Sequence, residues 1–173
     1  MAKIKRKAQQ ATLLIVGEGQ QDKAFIKHMK SLYDDRNNGQ HLTIHSADGG
    51  SPNDIIKATQ RKYLHADYDR SFILMDSDIP VRQQDWDLAR KSGIELILST
   101  PLCLEGMLLD VLNQKVPANF TSTQCKATLR PYLSGEPVFP GSYNPTFDKA
   151  VLDASTKAQI IKLRQLISHL PTK

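Results

Sequence analysis

Five acidic side chains stand where short apolar runs stop. Glu18 follows the run Thr12–Val16, and Asp22 comes four residues later, one helical turn on. Asp76 and Asp78 follow Ser71–Met75, two apart, so that in an extended segment they project to the same side. Glu105 comes after the run Ile94–Leu98, near the start of the next apolar stretch. Crowding such groups together is costly, because two like charges 4 Å apart repel by roughly 4 kcal/mol at an effective dielectric of 20. A hard divalent cation removes that cost. Mg²⁺ commonly takes one or two carboxylates together with waters and substrate phosphates. Two such ions roughly 4 Å apart would clamp the attacking and leaving oxygens of an in-line displacement. Each residue alone also has a structural use. Asp22 suits the positive end of a helix, Asp76 and Asp78 suit a turn before Pro80, and Glu105 suits a first helical turn. Their joint placement favours a metal site, with Mg²⁺ or Mn²⁺ as the expected cofactor.

The elements that must position these residues follow from the hydrophobic periodicity. Thr12–Val16 is continuous and apolar, as in a strand covered on both faces of a parallel sheet. Phe25, Met29, Leu32 and Tyr33 recur at helical spacing over 20–33. An alternating second strand is expected over 41–46. Ser51 as N-cap and Pro52 as first helical residue then predict a helix over 52–64. A third strand over 71–75, a helix over 83–92 closed by Gly93, a fourth strand over 94–98 and a helix over 102–112 complete the series. Strands alternating with helices predict a mostly parallel four-stranded α/β sheet with right-handed crossovers and helices on both faces, a Rossmann-like sandwich. In such sheets ligands bind beyond the carboxyl ends of the strands, which is where the acidic residues fall. After Val116 the text changes. A short helix is expected over 122–130, an irregular Gly/Pro-rich stretch over 134–146, either a substrate loop or a strap over the sheet, and a last helix over 148–169.

The 173 residues carry a net charge of +5, a balance that favours polyanionic partners. Lys3, Lys5, Arg6 and Lys7 form a basic arm in a tail expected to be flexible over 1–10. Lys57, Arg61 and Lys62 cluster on the second helix, Lys23 stands beside Asp22, and Lys126 pairs with Arg130. Lys23, Lys57, Arg61 and Lys62 are the candidate contacts to DNA or RNA, with solvated helix faces as the alternative. No apolar run approaches the roughly 20 residues of a membrane span, and no signal-peptide pattern is visible. Cys103 and Cys125 lack metal-ligand spacing and read as reduced thiols, so a cytoplasmic setting is expected. Trp86 is expected to pack its helix on the sheet, and Asp85 and Asp87 to be surface charges.

Gly17-Glu-Gly-Gln-Gln-Asp22 after an apolar strand resembles the first motif of Toprim domains, and Phe72-Ile-Leu-Met-Asp-Ser-Asp78 resembles the second. Ser99-Thr-Pro-Leu-Cys-Leu-Glu105 is similar to a third element of RloB-like and OLD-type Toprim proteins, and Gly49-Gly-Ser-Pro52 also fits the RloB-like pattern. The resemblance covers about residues 12–112. It implies a Toprim-like domain over 11–115, with 116–173 as a C-terminal extension packed on it. It further implies that Glu18, Asp22, Asp76 and Asp78 hold Mg²⁺, that Glu105 belongs to the same acidic pocket, and that Glu18 can act as general acid or base. Glu18, Asp76 and Asp78 are thus the candidate catalytic residues.

The expected function is metal-dependent phosphodiester chemistry on nucleic acid, nuclease or nucleotidyl transfer, in defence against phage or mobile elements. The alternative is a non-catalytic Toprim-type subunit that binds nucleic acid or protein in a larger complex. A small-molecule phosphohydrolase or nucleotide-binding domain is a third reading. The chain has no Gly-x-x-x-x-Gly-Lys-Ser/Thr loop, so any ATPase would be a partner protein.

Overall fold

The computed structural model describes residues 10–169. The tail expected over 1–10 lies outside them apart from Gln10. Four parallel strands, β1 (Ala11–Gly17), β2 (Gln40–Ser46), β3 (Arg70–Asp76) and β4 (Ile94–Ser99), form one sheet in the order β2-β1-β3-β4. The connections are α1 (Gln20–Tyr33), α2 (Pro52–Tyr63) and α3 (Gln83–Lys91). After the sheet come α4 (Leu104–Val111), α5 (Ser122–Leu129), α6 (Lys149–Ala154) and α7 (Ala158–Ser168). The architecture is α/β, a parallel sheet flanked by helices, consistent with a Rossmann-like fold. Among the described residues no helix is long and apolar enough to cross a membrane.

The period of two in β1 divides the core. Leu13 and Ile15 face one side, packed with α1, α4, α5 and α7; Leu14 and Val16 face the other, packed with residues of α2 and α3. All four are fully buried, which is why the run is apolar throughout. β1 pairs with β2 on one edge and β3 on the other, so the chain leaves it in opposite directions. The switch point thus lies between the carboxyl ends of β1 and β3, where such sheets open a crevice.

Three expectations are corrected. The last helix is two, α6 and α7, broken at 155–157, where Ser155 is extended and its hydroxyl accepts from Lys157 N–H. Asp85 is buried rather than a surface charge. It caps α3 by accepting from Arg82 N–H and bridges to α2 by accepting from Asn53 Nδ2 at 3.0 Å. With Asp85 turned inward at that end of α3, Trp86 is turned outward and is 40 % exposed.

Gly17 ends β1 where α1 returns over it. A Cβ there would stand 2.7 Å from both Asp22 Cβ and Lys23 N. The absence of that atom is what lets the first turn of α1 close beside the strand. Gly17→Ala should therefore destabilise the protein by about 2 kcal/mol, the scale of overpacking. Denaturant unfolding measures it, and a variant as stable as wild type would show that α1 yields freely at this contact.

Candidate functional site

A cavity of about 280 Å³ opens at the switch point. Glu18, Asp22, Asp76 and Glu105 line it, with Gly19, Gln20, Gln21, Gly49, Leu104, Lys126 and Val138. Four of the five predicted carboxylates therefore meet around one space. Each reaches it from the end of a strand or the start of a helix, and three are tied to a backbone donor. Glu18 Oε2 accepts from Asp76 N–H at 2.7 Å. Asp76 Oδ1 accepts from Leu104 N–H at 3.1 Å, at the N-terminus of α4. Asp22 Oδ2 accepts from Gly19 N–H at 3.0 Å, closing the first turn of α1. Glu105, in the first turn of α4, is 5 % exposed.

These bonds do not offset the burial. Asp22 is 6 % exposed, and its Oδ1 is buried with no hydrogen-bond partner among the described residues. Burial, followed by the neighbouring charge of Asp76, holds its carboxyl well above the usual range. Burial and then the Glu18 charge push Asp76 to about 7. Burial likewise raises Glu18, against the opposing hydrogen bond from Asp76, and Asp78 adds to the rise. The site is thus an under-compensated nest of negative charge, the environment in which a divalent cation is stabilising. Among the described residues, however, no three His, Cys, Asp or Glu side chains stand close enough to form a ready metal cage.

The fifth carboxylate is turned elsewhere. Asp78 is exposed, does not line the cavity, and accepts from Ser122 Oγ of α5 at 2.8 Å. It remains near enough to raise Glu18 and Asp76. The predicted cations lie outside the cavity. Lys23 is half-buried on α1 beside His45 of β2. Lys62 pairs with Asp48 at 3.6 Å, and Gln20 donates to the same carboxylate at 2.9 Å, which places Lys62 at the rim. Arg61 is exposed near Asp54, and Lys57 lines a groove between α2 and α3 with Arg82 and Lys91.

The cation that the cavity does hold is Lys126 of α5, whose charge lowers Glu18. Its sequence context, one member of a basic pair in the extension, carried no sign of where α5 would lie. Val138 comes from the stretch over 134–146 expected as a substrate loop or a strap, in which no single residue stood out.

Fold and cavity together define an α/β protein with an acidic pocket at the switch point of a parallel sheet. Protein-family models, curated proteins and solved structures were each compared with the chain, and none matches it.

A carboxyl raised in the folded state binds a proton that the unfolded chain releases. Its favourable contribution is complete below the unfolded value of 3.8 and is lost as pH rises through the folded value, about 7 for Asp76. In EDTA, stability contributed by this site should fall between pH 4 and pH 7–8, and Asp76→Asn should raise Tm at pH 8 by roughly 3 °C while doing little at pH 4. Calorimetry at the two pH values decides it. An equal effect of the substitution at both would remove the charge crowding.

Proposed function

We propose that this chain is a divalent-cation-dependent phosphodiester enzyme of Toprim type, a nuclease or nucleotidyl transferase acting on nucleic acid. The observation that carries the reading is Asp22 Oδ1, buried and without a hydrogen-bond partner among the described residues, in a cavity shared with three other carboxylates. An unsatisfied buried carboxylate oxygen costs stability, and a ligand that needs it gives a reason for its placement. Mg²⁺ or Mn²⁺ is the matching ligand, and Asp22, Asp76 and Glu105 with Glu18 are the residues that would hold it. Bound there, the cation supplies charge neutralisation and Lewis acidity toward a phosphoryl oxygen.

The chain's own groups account for the remaining tasks. Lys126 supplies the positive charge at the mouth that a phosphate needs. Glu18, with only Oε2 engaged among the described residues and its carboxyl raised by burial, is suited to take up and return a proton at Oε1. Asp76 fixes Glu18 through its backbone N–H and is itself fixed by α4. Lys62, at the rim, and Lys57 and Arg61, further along α2, extend positive charge away from the cavity for a polyanion. Defence against phage or mobile elements is the setting that goes with this reading, and an ATPase would be a separate partner.

A non-catalytic Toprim-type binding subunit is the second reading. It is favoured by the lack of a ready three-ligand cage among the described residues and by the diversion of Asp78 to Ser122.

Labelled single- and double-stranded DNA and RNA, incubated with Mg²⁺, Mn²⁺ or EDTA, separate the two. Cleavage or transfer should require the cation and be abolished in Asp76→Ala; a Glu18→Gln protein that reacts as fast as wild type would falsify the catalytic reading. Binding that survives removal of every cavity carboxylate would favour the subunit. Lys126→Ala should weaken binding about uniformly across sequences and lower the salt-dependence slope by about 1, as for loss of one phosphate contact. An unchanged slope would take Lys126 out of the substrate path.

A further inference from the structure

Large exposed apolar side chains are few among the described residues, and two of them, Val138 and Phe139, are adjacent. Phe139 is 62 % exposed and Val138 45 %. Isolated surface hydrophobics need no explanation, but this pair differs in two respects. Val138 lines the carboxylate cavity, and Phe139 is the next residue in the chain.

The tip that carries them is also firmly tethered. Tyr143 OH donates to Pro137 O at 2.7 Å, and Ser142 Oγ donates to Glu136 O at 2.7 Å. Phe139 N–H donates to Glu136 O, and Ser142 N–H returns to Phe139 O, both at 3.0 Å. Arg130 closes the base of the loop on Glu136 and the Gly135 carbonyl. Tyr143 is itself buried edge-on against Phe25 of α1, with ring centroids 5.5 Å apart. The core thus holds rigid a loop whose outermost side chain is an uncovered aromatic ring.

Resting on the phosphodiester reading above, we infer that Phe139 is a base-stacking platform and that the substrate is single-stranded or locally unpaired nucleic acid. The surface asks for a ligand with two features at once. It must bring a phosphate to a cavity lined by carboxylates and Lys126, and present a flat apolar face immediately outside it. An unpaired nucleotide has both. In a duplex the base faces are covered by their neighbours, and an apolar peptide or a second copy of this chain supplies no phosphate. Stacking on an aromatic ring is tolerant of sequence, because every base has a π-face.

The test uses DNA and RNA oligonucleotides carrying 2-aminopurine, single-stranded or annealed, titrated with wild type, Phe139→Ala and Phe139→Trp in Ca²⁺. Mg²⁺-dependent cleavage is measured in parallel. Wild type should prefer the single strand and quench the probe. Phe139→Ala should bind the single strand about tenfold more weakly without quenching, leave duplex binding unchanged, and be rescued by Phe139→Trp. Phe139 is exposed, so its replacement does not threaten the core. Equal affinity and quenching in Phe139→Ala would overturn the platform. If Asp76→Ala still abolished cleavage, the carboxylate site would stand without it. Wild type that binds no strand of either kind, and does not cleave, would remove both readings. Self-association of wild type that Phe139→Ala abolishes would assign the surface to a second copy and overturn the platform as well.

Discussion

Mutual repulsion among desolvated carboxylates is the constraint on which this architecture turns. Burial raises the proton affinity of Asp22, Asp76 and Glu18; the charges of Asp76 and Glu18 add to the rise of Asp22, Glu18 to that of Asp76, and Asp78 to that of Glu18. The fold answers with backbone donors. The N–H groups of Gly19, Asp76 and Leu104 each point at one carboxylate oxygen. Two of these carboxylates also sit at helix N-termini, where the peptide dipoles present partial positive charge. The arrangement is held but not neutralised.

That support comes from both layers of the sheet and from the C-terminal third of the chain. The layer beneath α1 is built jointly from β1, α4, α5, α7 and the residues around Tyr143 and Phe147. Buried His28 of α1 bonds the Phe147 carbonyl at 2.6 Å, which fixes the helix carrying Asp22 against the extension. The residues after 116 therefore complete the same core, and they bring Lys126 and Val138 to the cavity. On the other layer, buried Asp85 joins α2 to α3 through Asn53.

Much of this was legible in the order of residues. The strands were marked by apolar runs, α2 by Ser51 and Pro52, and the site by carboxylates falling just past strand ends. These are local signals, set by period and capping. What escaped depended on partners remote in sequence. Asp78 was read with Asp76 because they are two apart, but Ser122, which engages it, lies 44 residues on. Asp85 looked like a surface charge because its partner Asn53 is 32 residues earlier. Lys126 carried no local mark, since nothing in its neighbourhood says that α5 will pack on α4. The break between α6 and α7 was hidden because 155–157 holds neither glycine nor proline to mark it.

The central place of β1 also sets a schedule for the nascent chain. The strand made first has both edges covered only by strands made later, β2 on one side and β3 on the other. Glu18 and Asp22 are made before their anionic neighbours Asp76 and Glu105. The apolar framework can thus begin to form before the crowded charges must share one pocket; the electrostatic penalty falls due when β3 pairs with β1 and brings Asp76 to Glu18, and grows when α4 adds Glu105.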